Sequence, residues 1–175
     1  QLFTYPYDNN FLLRKQKSVK RELLAREGVA YAEKRIAVLG GSTTDDITNI
    51  LELFLLESGI KPTFYQSEYN KFYEDAVFGN PELDAFAPEI VIVFTSVVNI
   101  VNAPSVNDDE AAIRAKIAAE VSRFTEVWEK LAQRHHAVII QNNFDLPAAD
   151  DLGSLSAAHI AGTHRFVAAL NERFA

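Results

Sequence analysis

Apolar and polar positions alternate along the chain in two rhythms. Some stretches repeat apolar residues every three to four positions, the period of a helix face, and others are short and continuously apolar, as strands buried on both faces are. The first rhythm predicts helices over residues 11–27, stopped at Gly28, over about 44–58, and over about 109–134 and 157–174. In the second of these, Ile47, Ile50, Leu51, Phe54 and Leu55 share one stripe, and Gly59 is placed to end it. An aromatic stretch over 68–78 also reads as helical, broken by Gly79-Asn80-Pro81. Asn107 or Asp108 can cap the long helix that follows. The second rhythm predicts strands over 35–39, 63–66 after Pro62, 90–94 after Pro88, and 137–140, with an irregular loop over 141–155.

Strands that alternate with helices give a parallel sheet covered on both faces by helices. Strands one and three are central, so the expected order is 2-1-3-4. The connections diverge from that pair and leave a crevice at the carboxyl ends of the strands. The turns over 40–44, 95–102 and 141–151 are expected to open there. Residues 1–175 read as one domain, with 1–30 an amino-terminal arm and helix packing on the sheet.

Composition narrows the partners. The net charge of −7 argues against nucleic acid, which needs a Lys/Arg surplus to neutralise phosphate. The one basic stretch, Arg14 to Arg26, carries six Lys/Arg against one Glu and reads as a solvated helix face. There is no cysteine, hence no disulfide or thiol chemistry, which is compatible with a cytoplasmic location. No apolar run approaches a membrane span, and QLFTYPYDNN lacks a signal pattern. The chain holds no Met, so it is read as a piece of something longer. No histidine pair with a supporting acid suggests a metal, and no cofactor motif is present: the turn after strand one is neither a Walker loop nor a dinucleotide fingerprint.

Chemistry concentrates in Lys34 to Asp46, KRIAVLGGSTTDD, a buried strand, a glycine turn and a helix start. Ser42 stands at the carboxyl end of the strand, where helix-start amides and the helix dipole favour a negative oxygen. There it can attack a carbonyl while its own amide steadies the oxyanion, with Gly41 beside it as a further oxyanion or binding position. The competing reading is that Ser42, Thr43 or Thr44 caps the helix and that Asp45 and Asp46 satisfy its dipole. As a base, His159 at the start of the last helix is the better candidate; His164 lies a turn further in, and His135 and His136 belong to the opposite edge. Thr95, Ser96 and Asn99 follow strand three, and Asn99 can bring a side-chain amide to the Ser42 turn. Gly79 and Asn80 can lend another amide, and Asn142 and Asn143 follow strand four on the crevice side or hold its loop.

GGSTTD, then ILELFLLESGIKPTFYQSEYNKFYEDAVFGNPEL, FTSVVNI, QNNFDLP and the closing LGS and RFVAALNERF resemble the amino-terminal domain of FkbH-like proteins, over about residues 2–174. The resemblance implies an SGNH-hydrolase-like fold, a flavodoxin-like three-layer α/β/α arrangement, that precedes a HAD-type phosphatase domain. It also implies glyceryl transfer, in which a phosphoglycerate is dephosphorylated and loaded onto an acyl carrier protein for polyketide-type biosynthesis. It makes Ser42 the nucleophile-position residue and Gly79 a match to the second-block glycine. The oxyanion-hole Asn falls on Val97, and Val97-Val98 stand where the family carries polar residues; Asn99 lies two positions later. No acid stands three residues before either histidine, the places being Ser156 and Ala161, so the imidazole lacks its orienting carboxylate. The HAD signature is absent, so phosphatase chemistry belongs to another domain.

The leading expectation is an SGNH-like accessory domain of an FkbH-type glyceryl transferase or phosphatase. It positions a small acyl or phosphorylated substrate, or an acyl carrier protein, with weak or no hydrolysis of its own. An active serine esterase or acyltransferase, with Ser42 as nucleophile and His159 as base, is the alternative. A purely structural or dimerising domain is the third.

Overall fold

Ile36 to Leu39 form the buried half of a nine-residue strand, β1 (Ala32–Gly40), whose polar first half lengthens it beyond the apolar run. The computed structural model describes residues 2–148 and 152–175. Around β1 the chain order is α1 (Asn9–Leu24), β1, α2 (Asp45–Glu57), β2 (Ile60–Gln66), α3 (Phe72–Val77), α4 (Pro81–Phe86), β3 (Ile90–Phe94), α5 (Glu110–His135), β4 (Val138–Gln141) and α6 (Thr163–Phe174). Single 3-10 turns stand at Val97–Asn99 and Gly153–Leu155.

The sheet is parallel throughout, in the order β2-β1-β3-β4. Ala37 and Leu39 of β1 and Val91 and Val93 of β3 turn to one face and meet Phe72 and Ala76 of α3, Phe124, Val127 and Leu131 of α5, and Phe166, Val167 and Leu170 of α6. The other face, where Ile36 and Val38 are buried, carries α2. The result is three layers, α/β/α, with the expected strand order.

Five features differ from the sequence reading. β2 starts before Pro62, which pairs with Lys34; β2 is an edge strand, where a missing N–H is tolerated. The break at Gly79-Asn80-Pro81 also starts a helix: Asn80 Oδ1 accepts from the Glu82 and Leu83 amides and Pro81 opens α4. The long helix is capped by Asp109, which accepts from the Ala112 amide. The last helix starts at Thr163 rather than 157, because Gly162 lies flat on the Ser156 carbonyl, where a Cβ would come within 1.9 Å. The arm and α1, expected on the sheet, meet α2: Leu12, Val19 and Leu23 pack with Leu53 and Leu56, and Phe3 and Tyr7 set their rings edge-on to Phe54. Among the described residues no helix is long and apolar enough to cross a membrane.

At the amino-terminal edge of the sheet, Asp75 of α3 is buried, with Oδ1 accepting from Asn80 Nδ2 and Oδ2 without a partner among the described residues. Burial holds its carboxyl above the ordinary aspartate range, against the smaller pulls of the Asn80 hydrogen bond and Lys71. Folding therefore favours the protonated form. This stability is complete below the ordinary aspartate pKa and is lost as pH rises through the raised value. Asp75→Asn is expected to remove that loss. Thermal melts between about pH 4 and pH 7 should show the variant's Tm gaining on wild type as pH rises; parallel curves would contradict the assignment.

Candidate functional site

β1 reaches the crevice through two glycines that leave no room for a side chain. A Cβ on Gly40 would fall 2.6 Å from Thr44 Cγ2 and 2.7 Å from the Ser42 carbonyl oxygen. A Cβ on Gly41 would fall 2.2 Å from Asn99 Oδ1. The ladder runs on past the strand: the Gly41 amide donates to the Phe94 carbonyl at 2.9 Å, so that amide is committed to the sheet. The Gly40 amide donates to Ser67 Oγ at 3.0 Å. Ser42 follows half-buried, and its hydroxyl makes no hydrogen bond among the described residues. Thr44 is the N-cap of α2, but its hydroxyl donates to Gln66 Oε1 at 2.7 Å and leaves the first-turn amides uncapped by it. Asp45 and Asp46 occupy the first turn as the dipole favours.

Asn99 is drawn to this turn, as its position after strand three suggested. Its Nδ2 donates to the Gly41 carbonyl at 3.0 Å and to Asn70 Oδ1 at 3.2 Å, and its Oδ1 accepts from the Ser96 amide at 2.9 Å. All of its polar capacity except one lone pair is thereby used. Asn99 acts as a cross-brace between the turns after β1 and β3, and both of its amide protons are engaged. Thr95, fully buried, is held the same way: its amide donates to Asn142 Oδ1 at 2.9 Å and its carbonyl accepts from Asn142 Nδ2 at 2.7 Å. Asn142 thus mimics a further strand residue. The Val97 amide donates to Asp145 Oδ1 at 2.8 Å. Val97 packs onto the core, while Val98 stands out into solvent.

Below the brace lies an ion pair that the sequence reading missed. Glu120 of α5 is completely buried. Its Oε1 accepts from the Val101 and Asn102 amides and from Asn102 Nδ2, and its Oε2 accepts from Arg123 at 2.8 Å. Arg123 donates in turn to the Asn99 carbonyl at 2.7 Å and lies over the Phe124 ring, 4.7 Å from its centroid. The carboxylate is thus paid out on one cation and three N–H groups, which is what a buried charge requires. The signal was present: in Ile113, Ile117, Glu120, Phe124, Val127 and Leu131 the acid interrupts an apolar stripe at helical spacing. Above Arg123, with Asn70, Tyr73, Val98, Asn99 and Val101 around it, opens a cleft of about 390 Å³.

Other candidates lie elsewhere or are engaged. His159 precedes α6 and is exposed, and its Nδ1 accepts from the Ala161 amide at 3.2 Å. His164 Nε2 lies 3.4 Å from the Pro147 carbonyl. Neither imidazole is hydrogen-bonded to Ser42. Gly79 packs on the Arg134 guanidinium in the last turn of α5, and Asn80 binds Asp75 and caps α4, so both sit at the opposite edge from the Ser42 turn. Asp151, at the end of the third expected crevice loop, lies outside the described residues.

The arrangement offers a free serine hydroxyl at the start of a helix, beside two rigidly tied loops. It can present a hydroxyl and helix-start amides to a polar ligand; among the described residues no nucleophile–base hydrogen bond is assembled.

No protein-family model matches this chain, and no curated protein matches its sequence. Among solved structures its fold is similar to the crystal structure of the N-terminal part of the protein BF1531 from Bacteroides fragilis, described as containing a phosphatase domain and complexed with Mg, at a TM-score of 0.66 and 16% identity. The match covers 90% of this chain and 40% of that chain, so this chain spans less than half of that length.

Glu120→Ala should leave the half-buried Arg123 without its carboxylate and release the loop at 101–102. A loss of about 3–5 kcal/mol is expected in urea unfolding, against a smaller loss for Glu120→Gln, which keeps the acceptor. Equal losses for the two would contradict the charge argument.

Proposed function

We propose that this chain is an SGNH-like accessory domain of an FkbH-type glyceryl transferase or phosphatase system. It positions a small acyl or phosphorylated substrate, or the acyl carrier protein that receives it, and hydrolyses little or nothing itself. The observation that carries this reading is the disposition of the amide and imidazole groups: Asn99 Nδ2 is bonded to Gly41 and Asn70, and His159 Nδ1 to the Ala161 amide, so neither serves Ser42. Ser42 then contributes a polar contact. Likeness in fold to part of a longer chain that contains a phosphatase domain supports the idea of a domain that works beside a covalently linked HAD-type neighbour. The reaction's leaving and accepting groups would be handled there.

The rival reading, a serine esterase or acyltransferase, draws on one specific feature: the Ser42 hydroxyl is unbonded and half-exposed at the carboxyl end of a central strand. The two readings part under a fluorophosphonate probe. The accessory reading expects no labelling of Ser42 over hours at neutral pH, together with a rise in Tm when a phosphoglycerate or an acyl-loaded carrier protein is added, smaller in Ser42→Ala. Stoichiometric labelling abolished by Ser42→Ala would overturn it in favour of the rival. Neither labelling nor a shift with either ligand would overturn both.

A further inference from the structure

Arg123 commits one edge of its guanidinium and keeps the other free. Its Nε and Nη2 both donate to Glu120 Oε2, at 3.3 and 2.8 Å, and Nη2 also donates to the Asn99 carbonyl. Its Nη1 makes no hydrogen bond among the described residues, and the side chain is 15% exposed where it lines the cleft of about 390 Å³. Rings hold the guanidinium in place: its carbon lies 5.9 Å from the centroid of Phe72, 5.8 Å from that of Tyr73 and 4.7 Å from that of Phe124. A second donor lines the same cleft. Asn70 Oδ1 is occupied by Asn99 Nδ2, and Asn70 Nδ2 is unbonded among the described residues. The loop after β3 adds Val98 and Val101 to the lining, and these are 79% and 71% exposed.

The charges around these donors decide what they can take. Glu120, completely buried, already balances Arg123. Two more carboxylates stand close by: Glu74 lines the cleft, and Glu126 Oε2 accepts from the Tyr73 hydroxyl at 2.9 Å. Among the described residues Arg123 is the one cation in the lining. The Tyr73 phenol senses the balance. Its hydrogen bond to Glu126, then burial, then the Glu126 charge hold it above the ordinary tyrosine range, and the opposing pull of Arg123 does not prevail. A free donor needs an acceptor. A carboxylate or phosphate is one, but here it would share a guanidinium already neutralised and meet the field of Glu74 and Glu126. An uncharged carbonyl oxygen accepts from the same N–H groups without that repulsion.

We propose that this cleft is a subsite for an uncharged acyl group. Its ligand is an amide or ester whose carbonyl oxygen accepts from Arg123 Nη1, with Asn70 Nδ2 as the second donor, and whose aliphatic chain lies against Val98 and Val101. The cleft is at the small end of ligand sites, which span about 300–1,000 Å³, so the chain it takes is short. This subsite rests on the substrate-positioning role proposed above and deepens it, by selecting an acyl group for this end of the crevice. The cleft adjoins the Ser42 turn through one carboxamide, since Asn99 Nδ2 binds both the Gly41 carbonyl and Asn70 Oδ1. One molecule can thus reach both, with its acyl end at Arg123 and its polar end at Ser42.

Protein-observed NMR titrations with pentanamide and with pentanoate, a nearly isosteric pair that differs in charge, test this. Pentanamide should bind saturably, shifting the backbone amides of residues 98–101 and the Arg123 Nε–H signal. It should bind at least about fivefold more tightly than pentanoate. Asn70→Asp keeps the acceptor that Asn99 uses and suits the left-handed backbone there, φ 57°. It should weaken pentanamide about fivefold and leave Tm unchanged. Glu74→Gln, at an exposed position, should narrow the gap between the two probes by strengthening pentanoate. No saturable shift, pentanoate binding as tightly as pentanamide, or indifference to Asn70→Asp would each overturn the subsite. The titration reads the cleft separately from Ser42. A Ser42-dependent rise in Tm with phosphoglycerate, beside no binding of pentanamide, would sink the subsite and leave the positioning role standing. Pentanamide bound in the cleft, beside stoichiometric fluorophosphonate labelling of Ser42, would support the subsite and remove the accessory role.

Discussion

A single carboxamide ties the crevice together. Asn99 links the turn leaving β1 to the turn leaving β3, with one bond to the Gly41 carbonyl and one from the Ser96 amide. Those two strands are the centre of the sheet, and their exits define the cleft. The brace is possible only because residue 41 has no side chain: the carboxamide occupies the space a Cβ would take. It is held from beneath by Arg123, which binds the Asn99 carbonyl and is itself neutralised by the buried Glu120. A chain of charge and hydrogen bonds thus runs from the interior of α5 to the lip of the Ser42 turn. Removing any member exposes the next to an unpaired polar group.

This construction underlies the proposal that the site binds a ligand and does not turn it over. A catalytic serine needs a base within hydrogen-bond reach and donors left free for developing charge. Here the Gly41 amide and the Asn99 carboxamide are consumed in fixing the loops, and Val97 and Val98 contribute no polar side chains. What remains is a rigid rim with one free hydroxyl and helix-start amides. Rigidity of that kind orients a ligand at little entropic cost, which fits the proposed role of holding a substrate for a neighbouring domain.

Much of the fold was legible in the sequence, for a physical reason. A parallel α/β sheet segregates its strands as short continuous apolar runs and its helices as apolar stripes, and both rhythms are strong here: β3 begins and ends where the run Ile90 to Phe94 does. What escaped were features set by single contacts at element ends. Gly162 delays α6 because of the Ser156 carbonyl behind it, and Asn80 starts α4 inside what read as a break. The placement of α1 against α2 depends on which of two apolar surfaces offers the better fit, and periodicity does not carry that. At the site, Asn99 was found because an amide after a central strand has few places to go. The Glu120–Arg123 pair was missed because a helix rich in charge hides one buried acid among exposed ones, although its position within an apolar stripe marked it.

The central claim is that Gly41 exists to admit Asn99, and a double-mutant cycle on the two residues tests it most directly. Unfolding free energies would be measured for wild type, Gly41→Ala, Asn99→Ala and the double variant. If the glycine serves the brace, Gly41→Ala should cost far less once the carboxamide is gone, with a coupling of about 1–3 kcal/mol. Additive losses would mean that the glycine answers to the backbone alone, and the brace would not be what organises the cleft.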